Sequence, residues 1–258
     1  MKKAIAFMDS GLGGISVMAE ARKLLPYENF IMYGDSKNAP YGEKTDGEVT
    51  RLTINAAKKL LEYNIKALVI ACNTATSIAG KKLYTKMPIP IVGIVPPLKQ
   101  AQGLKKEGEI LVMLTPAAAK SHTIQNMLRH YGENTNILPC PGLMEFVERG
   151  ELKGENLHKK LETLLNPYIN KKIDVVALGC THYPFLTEEI RNFFDKDTAF
   201  INGGDESART LKALLEKQGL LTQDKTPGKT LFLNSSEDKI PLMKELYLSL
   251  GFDKEEII

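Results

Sequence analysis

The chain has 258 residues, 25% of them charged and 43% hydrophobic, which excludes a disordered or fibrous protein and allows one large α/β domain or two smaller ones. The formal net charge is +3, and the basic residues form short scattered pairs such as Lys58-Lys59, so we expect no nucleic-acid partner. No apolar run reaches the ~18 to 20 residues that span a bilayer, and no signal-type segment follows Met1, so we predict a cytoplasmic protein without membrane association.

Apolar, β-branched runs alternate along the chain with stretches of helical periodicity, a pattern typical of βα units in a parallel sheet. We predict strands at residues 4–8, 29–33, 67–71, 91–95, 110–114, 136–138, 175–179 and 198–201. Helices are predicted at residues 14–25, 46–63, 75–84, 117–131, 155–170, 185–194 and 206–220. Ligands of such sheets bind beyond the carboxyl ends of the strands, so the residues that follow each strand are the candidates for function.

An internal repeat relates the two halves of the chain. The segment from Ile65 to Thr74 aligns without a gap on the segment from Ile173 to His182, and in each a predicted strand ends in a cysteine, Cys72 or Cys180. We therefore expect two pseudo-symmetric α/β domains, each a doubly wound parallel sheet with one thiol at a strand end.

The boundaries of these domains are predicted from turn-forming pairs of residues. The first domain would comprise residues 1–95 and 205–258 and carry Cys72, and the second would comprise residues 96–204 and carry Cys180. The crossings between them are expected at Pro96-Pro97 and Gly203-Gly204.

Cys72 and Cys180 are the strongest candidates for chemistry. The chain has three widely spaced cysteines, an odd number that argues against a disulfide framework. Polar residues follow both cysteines, Asn73-Thr74 in one case and Thr181-His182 in the other, and their N–H groups could bind a carboxylate or favour a thiolate. Two buried cysteines that only fill core volume are the alternative, which the matching positions in the repeat make less favourable.

The remaining cysteine and histidines are expected to be structural. Cys140 lies in a turn bracketed by prolines, and His122, His130 and His158 are dispersed on predicted helices. Because no two cysteines have C-x-x-C spacing, we predict no metal site.

Three further segments carry candidate residues. Asp9 and Ser10 precede a glycine-rich turn whose N–H groups could hold an anion, although the turn matches neither the dinucleotide nor the phosphate-loop pattern. Asp9 is either a helix cap or a catalytic partner of a thiol. Tyr41 and Gly42 lie in a turn that could meet a small ligand. Glu148, in a possible short helix, is by default an ordinary solvent-facing carboxylate.

Together these segments resemble the glutamate racemase family, within the wider group of aspartate/glutamate racemases. The matching motifs, in the family's order over almost the whole chain, are Asp9-Ser10-Gly11-Leu12-Gly13-Gly14, Pro40-Tyr41-Gly42, Cys72-Asn73-Thr74-Ala75 and Leu178-Gly179-Cys180-Thr181-His182-Tyr183-Pro184. The stretch from Cys140 to Glu148 is similar to the one that carries the family's additional acidic residue. Two positions depart from the pattern: Ala118 replaces the middle threonine of Thr-x-x-Thr-x-x-Ser, and Asn202 stands where an acidic residue is often found.

The resemblance implies an isomerase that interconverts L- and D-glutamate in a cleft between the two domains. Cys72 and Cys180 would be its acid and base, assisted by Asp9, Glu148 and His182. The residues implied to bind substrate are Asp9, Ser10, Tyr41, Gly42, Asn73, Thr74, Thr181 and His182. The family also implies a homodimer, glutamate as the small-molecule partner, and supply of D-glutamate for peptidoglycan synthesis.

The chemistry of racemisation agrees with a pair of thiols. A proton must leave one face of the α-carbon and another must return to the opposite face, so a thiolate base and a thiol acid suffice. No lysine stands in the motifs where an imine would form, and we predict no cofactor. Three alternatives stay open: an aspartate or broad-specificity racemase, a thiol hydrolase or transferase with a cysteine nucleophile, and a non-catalytic binding protein.

Overall fold

Strands and helices alternate through the computed structural model, which describes residues 3–258. The strands are β1 Ala4–Asp9, β2 Asn29–Gly34, β3 Ile65–Ile70, β4 Ile91–Gly93, β5 Glu109–Leu114, β6 Thr135–Pro139, β7 Ile173–Leu178, β8 Ala199–Asn202 and β9 Thr230–Asn234. The helices are α1 Gly14–Leu24, α2 Asp46–Leu61, α3 Asn73–Lys86, α4 Leu98–Leu104, α5 Pro116–Ala119, α6 His122–Tyr131, α7 Met144–Glu148, α8 Glu155–Leu165, α9 Thr187–Arg191, α10 Gly204–Lys217 and α11 Ile240–Ser249. None of these helices is long and apolar enough to cross a membrane, as far as residues 3–258 are concerned.

The chain separates into two compact units, each built on one sheet. The first unit comprises the described residues up to Val95 together with Gly204–Ile258, and the second comprises Pro96–Gly203. The first sheet has the strand order β4-β3-β1-β2-β9 and the second the order β6-β5-β7-β8. Every strand pair in both sheets is parallel, which confirms the predicted fold class of two parallel-sheet α/β domains.

Each sheet reverses its winding direction at one point. In the first sheet β1 lies between β2 and β3, and in the second sheet β5 lies between β6 and β7. The chain therefore leaves the central strand toward one neighbour and returns on the other side. Open α/β sheets bind ligands beyond the carboxyl ends of the strands at such a point. Asp9 ends β1 there and Cys72 follows β3, while Thr115 follows β5 and Cys180 follows β7.

The apolar strands account for the core of each unit. All residues of β1 and β3 are buried, as expected for parallel strands that are covered on both faces. On one face of the first sheet, strand residues pack with side chains of α2 and α3: Met8, Ile31, Leu68, Ile70, Leu52, Leu60 and Leu83. The corresponding cluster of the second unit includes Leu98 of α4 and Ile124 of α6, packed with Ile110, Val112 and Val175.

Some predicted elements were wrong in extent or were missed. The single helix predicted at 117–131 is two helices, because Thr115 and Ser121 each accept a backbone N–H and begin a separate helix. The helix predicted at 75–84 begins earlier, since Cys72 itself occupies the cap position of α3 and Asn73 and Thr74 lie in its first turn. The elements α4, β9 and α11 were not predicted; β9 is a short edge strand in which buried and half-buried residues alternate.

A buried ion pair joins the end of the first unit to its sheet. Lys66 Nζ lies 2.6 Å from Glu28 Oε2, and the two side chains are 7% and 2% exposed. Lys66 also donates to the carbonyl of Leu220 at 2.7 Å, and Glu28 Oε1 accepts the N–H of Thr222 at 2.7 Å. These contacts hold the segment between α10 and β9 at the amino ends of β2 and β3.

The first prediction concerns this pair. Lys66→Met would leave the Glu28 carboxylate buried without its cation, and we expect the free energy of unfolding to fall by about 3–5 kcal/mol in a urea titration. The control is Lys172→Met, which removes an exposed pair with Glu107 (3.1 Å between the charged atoms). That control should cost less than about 1 kcal/mol. A loss in Lys66→Met as small as in the control would contradict the structural role of the buried pair.

Candidate functional site

Cys72, Ser10 and Asp9 lie together at the switch point of the first sheet. Cys72 is 6% exposed, and its Sγ lies 3.5 Å from the Ser10 hydroxyl. The buried Asp9 accepts the N–H of Gly14 on Oδ2 at 2.9 Å, so one of its oxygens caps α1. The carboxylate also interacts electrostatically with Cys72. The two interpretations of Asp9, as a helix cap and as a neighbour of a thiol, are therefore compatible.

The surroundings of Cys72 keep its thiol protonated. Burial is the largest cause, followed by the negative charge of Asp9, and together they raise the pKa of Cys72 to about 12. Hydrogen bonds from the Ser10 hydroxyl and from the N–H groups of Ala75 and Ser10 act in the opposite direction, since they stabilise a thiolate. The balance makes Cys72 a proton donor at neutral pH, with donors in place to hold the charge once the proton has left.

The turn that contains Tyr41 and Gly42 packs beside the same cysteine. Tyr41 is 1% exposed and belongs to the same buried cluster as Cys72 and Ala75. Its hydroxyl donates to Asp35 Oδ2 at 2.7 Å. Burial and the Asp35 carboxylate raise the pKa of Tyr41, which keeps the phenol protonated. The structure therefore brings the candidates of the first unit, from Asp9 to Cys72, into one group.

Sequence reasoning missed Asp35 as a member of this group. An aspartate in a polar turn has no distinguishing signal, because most such residues face solvent. The available clue was its position directly after the apolar strand β2, on the same sheet edge as Asp9. In the structure Asp35 is 3% exposed.

In the second unit three predicted residues form a continuous series of contacts. Cys180 Sγ lies 3.7 Å from His182 Nδ1, and His182 Nε2 lies 2.7 Å from Glu148 Oε1. The Thr181 hydroxyl lies 3.5 Å from the same Nδ1 atom. Glu148 ends α7, which brings it to His182 and corrects its default interpretation as a solvent-facing carboxylate.

His182 is held in its charged form by its two neighbours. Burial disfavours the imidazolium, but the hydrogen bonds and charges of Cys180 and Glu148 outweigh burial and raise the pKa of His182 well above its ordinary value. An imidazolium in contact with a sulfur atom stabilises a thiolate there. Cys180 thus faces a cation, whereas Cys72 faces a carboxylate.

The other cysteine and two of the dispersed histidines lie in structural surroundings. The Cys140 thiol is 2% exposed and donates to the carbonyl of Leu138 at 3.4 Å. His158 stacks on Phe193 with ring centroids 5.2 Å apart, and His130 packs on its neighbour Tyr131. Within the described part of the chain, no three His, Cys, Asp or Glu side chains are grouped so that they could hold a metal ion.

Both positions that depart from the family pattern are at least partly buried, Ala118 more so than Asn202. Ala118 is 9% exposed, and its N–H donates to the Thr115 hydroxyl at 3.2 Å. Asn202 is half-buried at the end of β8. Alanine at position 118 therefore leaves the cap of α5 intact and removes only a side-chain hydroxyl.

Comparison with known proteins defines the class of the chain. The family model described as Asp/Glu/Hydantoin racemase matches residues 15–211. A glutamate racemase from Clostridium botulinum (strain Alaska E43 / Type E3) is 47% identical over 249 residues, which cover 95% of this chain and 96% of that relative. The chain therefore belongs to the Asp/Glu/Hydantoin racemase family, whose members are isomerases.

Solved structures of glutamate racemases share the fold. An isoform from Bacillus anthracis has a TM-score of 0.85 at 27% identity, with 99% of this chain and 96% of that chain covered. The Escherichia coli glutamate racemase, solved in complex with L-glutamate, has a TM-score of 0.84 at 26% identity, with 100% and 97% covered. The predicted family, that of the glutamate racemases within the aspartate/glutamate racemases, is confirmed.

The second prediction concerns the charge beside Cys72. Asp9→Asn removes that charge but keeps an oxygen for the Gly14 N–H, so the pKa of Cys72 should fall by about one pH unit or more. The measurement is thiolate absorbance against pH in a Cys140→Ser, Cys180→Ser background.

The matched control for this titration is Glu20→Gln, which neutralises a carboxylate of α1 that pairs with Lys23 at 2.9 Å on the surface. The control should leave the Cys72 titration unchanged. An unchanged or raised pKa of Cys72 in Asp9→Asn would show that the carboxylate does not act on this thiol.

Proposed function

We propose that the protein interconverts L-glutamate and D-glutamate with Cys72 and Cys180 on opposite faces of the α-carbon. The observation that carries the proposal is the pair of cysteines at equivalent switch points, one beside a carboxylate and the other beside an imidazole held by a second carboxylate. The high identity to glutamate racemases over almost the whole chain supports glutamate as the substrate, as does the structural neighbour that was solved with L-glutamate.

The reaction begins from a thiolate on Cys180 and a thiol on Cys72. The Cys180 thiolate takes the α-proton of L-glutamate, so the C–H bond breaks as an S–H bond forms. The Cys72 thiol then gives its proton to the opposite face of the carbon, which yields D-glutamate. The assignment of Cys180 to the L-isomer and Cys72 to the D-isomer comes from the family resemblance. The reverse reaction uses the same pair with their protonation states exchanged.

Glu148 and His182 assist this cycle by balancing the charge on Cys180. While Cys180 is a thiolate, the His182 imidazolium balances its charge and Glu148 balances the imidazolium. When Cys72 becomes the thiolate, the N–H groups of Ser10 and Ala75 receive its charge. Asp9 raises the free energy of that thiolate, which favours uptake of a proton from water by Cys72, and Cys180 releases its proton to water, so that the starting state is restored.

The α-hydrogen of an amino acid is a weak acid, and the developing carbanion needs electrostatic stabilisation. Turnover of about one per second permits a barrier of roughly 17 kcal/mol. In the proposal, backbone N–H groups around the α-carboxylate stabilise this developing negative charge. The substrate contacts in the proposal are those of Asp9, Ser10, Tyr41, Gly42, Asn73, Thr74, Thr181 and His182.

The physiological part of the proposal follows the family. It comprises a homodimer in the cytoplasm that supplies D-glutamate for peptidoglycan synthesis. In this scheme the protein's own side chains take and give every proton at the α-carbon, so the reaction requires no cofactor.

A thiol hydrolase or transferase is the second candidate, because the series Cys180–His182–Glu148 has the order of a nucleophile, a base and its orienting acid. Such an enzyme would form a covalent intermediate on Cys180 and would have no use for Cys72. Mass spectrometry of the protein mixed with a substrate separates the two functions, since a racemase leaves both thiols unmodified.

The third prediction tests the racemase. In deuterated solvent without added cofactor, L-glutamate should lose optical activity and gain deuterium at the α-carbon, as followed by circular dichroism and NMR. Cys72→Ser and Cys180→Ser should each lose about 100-fold or more of the turnover, the range typical of a lost acid or base.

Two comparisons complete this experiment. Cys140→Ser should retain wild-type turnover, because Cys140 takes no part in the scheme, and L-aspartate assayed in parallel identifies an aspartate or broad-specificity racemase. Wild-type turnover in Cys180→Ser would contradict the two-thiol mechanism, and a wild-type protein that exchanges no α-proton would refute the racemase altogether.

A further inference from the structure

We propose that Asp35 is a positioning residue for the reaction: its carboxylate anchors the turn of Tyr41 and Gly42 beside Cys72, and the Tyr41 hydroxyl serves this anchor instead of the substrate. The inference rests on the proposed function, in which this turn contacts glutamate. The residue lies outside the set that the sequence motifs assign to catalysis or binding.

The backbone of Asp35 is fixed to the central strand of the first sheet. Its N–H donates to the carbonyl of Asp9 at 2.9 Å, which continues the pairing of β1 and β2 by one residue. The preceding Gly34 lies so close to the glycine-rich turn that a Cβ there would come within 2.6 Å of the Gly11 carbonyl oxygen. The start of the 35–42 segment is therefore held against the turn that follows Asp9.

The side chain of Asp35 then gathers donors from the rest of the segment. Tyr41 donates its hydroxyl to Oδ2 at 2.7 Å, and the Asn38 amide donates to Oδ1 and Oδ2 at 3.0 and 3.1 Å. The Tyr33 hydroxyl lies 3.5 Å from Oδ1. A buried carboxylate that loses such donors is costly, and hydrogen bonds to a charged acceptor are about twice as strong as neutral ones. These bonds accordingly fix the turn firmly.

The hydrogen bond to Asp35 limits what the Tyr41 hydroxyl can donate to a substrate. A phenol has one O–H hydrogen, and here it points to Asp35. The ring packs in the buried cluster with Cys72 and Ala75, so a shift of the ring would be transmitted to the start of α3. What the turn can offer a substrate is its backbone, above all at Gly42, and Asp35 sets the position of that backbone.

Asp35→Asn is the first test. The amide keeps the shape but removes the charge and one acceptor oxygen, so it cannot accept all the hydrogen bonds that Tyr41 and Asn38 donate to Asp35. The KM for L-glutamate should rise roughly tenfold, the equivalent of one lost hydrogen bond to a charged group. The kcat should change by less than about threefold, because the thiols are untouched and ground-state binding is lost. An unchanged KM overturns the proposal.

A double-mutant cycle separates positioning from direct contact. Tyr41→Phe keeps the ring and removes the hydroxyl, and by itself it should raise KM in the same direction. In the combined variant Asp35→Asn, Tyr41→Phe, the KM should be no higher than in the more affected single variant, because both remove the same anchor. Multiplied effects would mean that the hydroxyl serves the substrate independently, and would overturn the proposal.

Asp174→Asn is the matched control, since Asp174 also anchors a turn by accepting N–H groups, from Lys106 at 2.7 Å and Gly108 at 2.6 Å. Asp174 lies at the amino end of β7. The KM and kcat of the Asp174→Asn variant should stay at wild-type values. Calorimetric titration of D-glutamate into the same variants, each carrying Cys72→Ser and Cys180→Ser as well, repeats the cycle without turnover. An inactive wild-type protein refutes the proposed function, whereas an active wild type with unchanged KM and Kd in Asp35→Asn refutes this inference alone.

Discussion

The reversal of winding in each parallel sheet is the constraint on which the candidate sites depend. Where the chain leaves a central strand in opposite directions, the carboxyl ends of two adjacent strands are left uncovered by connecting helices. The reversal at β1 and β3 places Asp9 beside Cys72, and the reversal at β5 and β7 places Cys180 at the equivalent point of the second sheet. The internal repeat of the sequence thus becomes two thiols in the same topological position.

Identical positions do not give identical chemistry, because the neighbours differ. Burial and the Asp9 carboxylate hold Cys72 as a thiol, whereas Cys180 lies beside the His182 imidazole, which is in turn held by Glu148. A racemase with one base and one acid needs this difference, since two thiols or two thiolates could not both remove and return a proton. The fold places the two cysteines at equivalent positions, and the polar residues beside each cysteine differ.

The sequence predicted the parallel sheets and the two cysteines, because both depend on local patterns: continuous apolar strands and a repeat that ends in the same residue. It did not reveal contacts made by folding. Glu148 reaches His182 across 34 positions through α7, and Asp35 gathers donors only once its turn has closed. The break between α5 and α6 depends on whether Ser121 caps a helix or lies inside one, and periodicity alone does not distinguish these. Strand β9 was missed because it is a short edge strand between polar segments.

The proposed mechanism requires the two thiols to start from opposite protonation states, and site-resolved alkylation tests this requirement most directly. Limiting iodoacetamide at neutral pH, followed by peptide mass spectrometry, should modify Cys180 before Cys72 and Cys140, because only a thiolate reacts readily. Replacing Glu148 by Gln should slow the modification of Cys180 and leave that of Cys72 unchanged. Modification of Cys72 first, or a Cys180 rate indifferent to Glu148, would contradict the account.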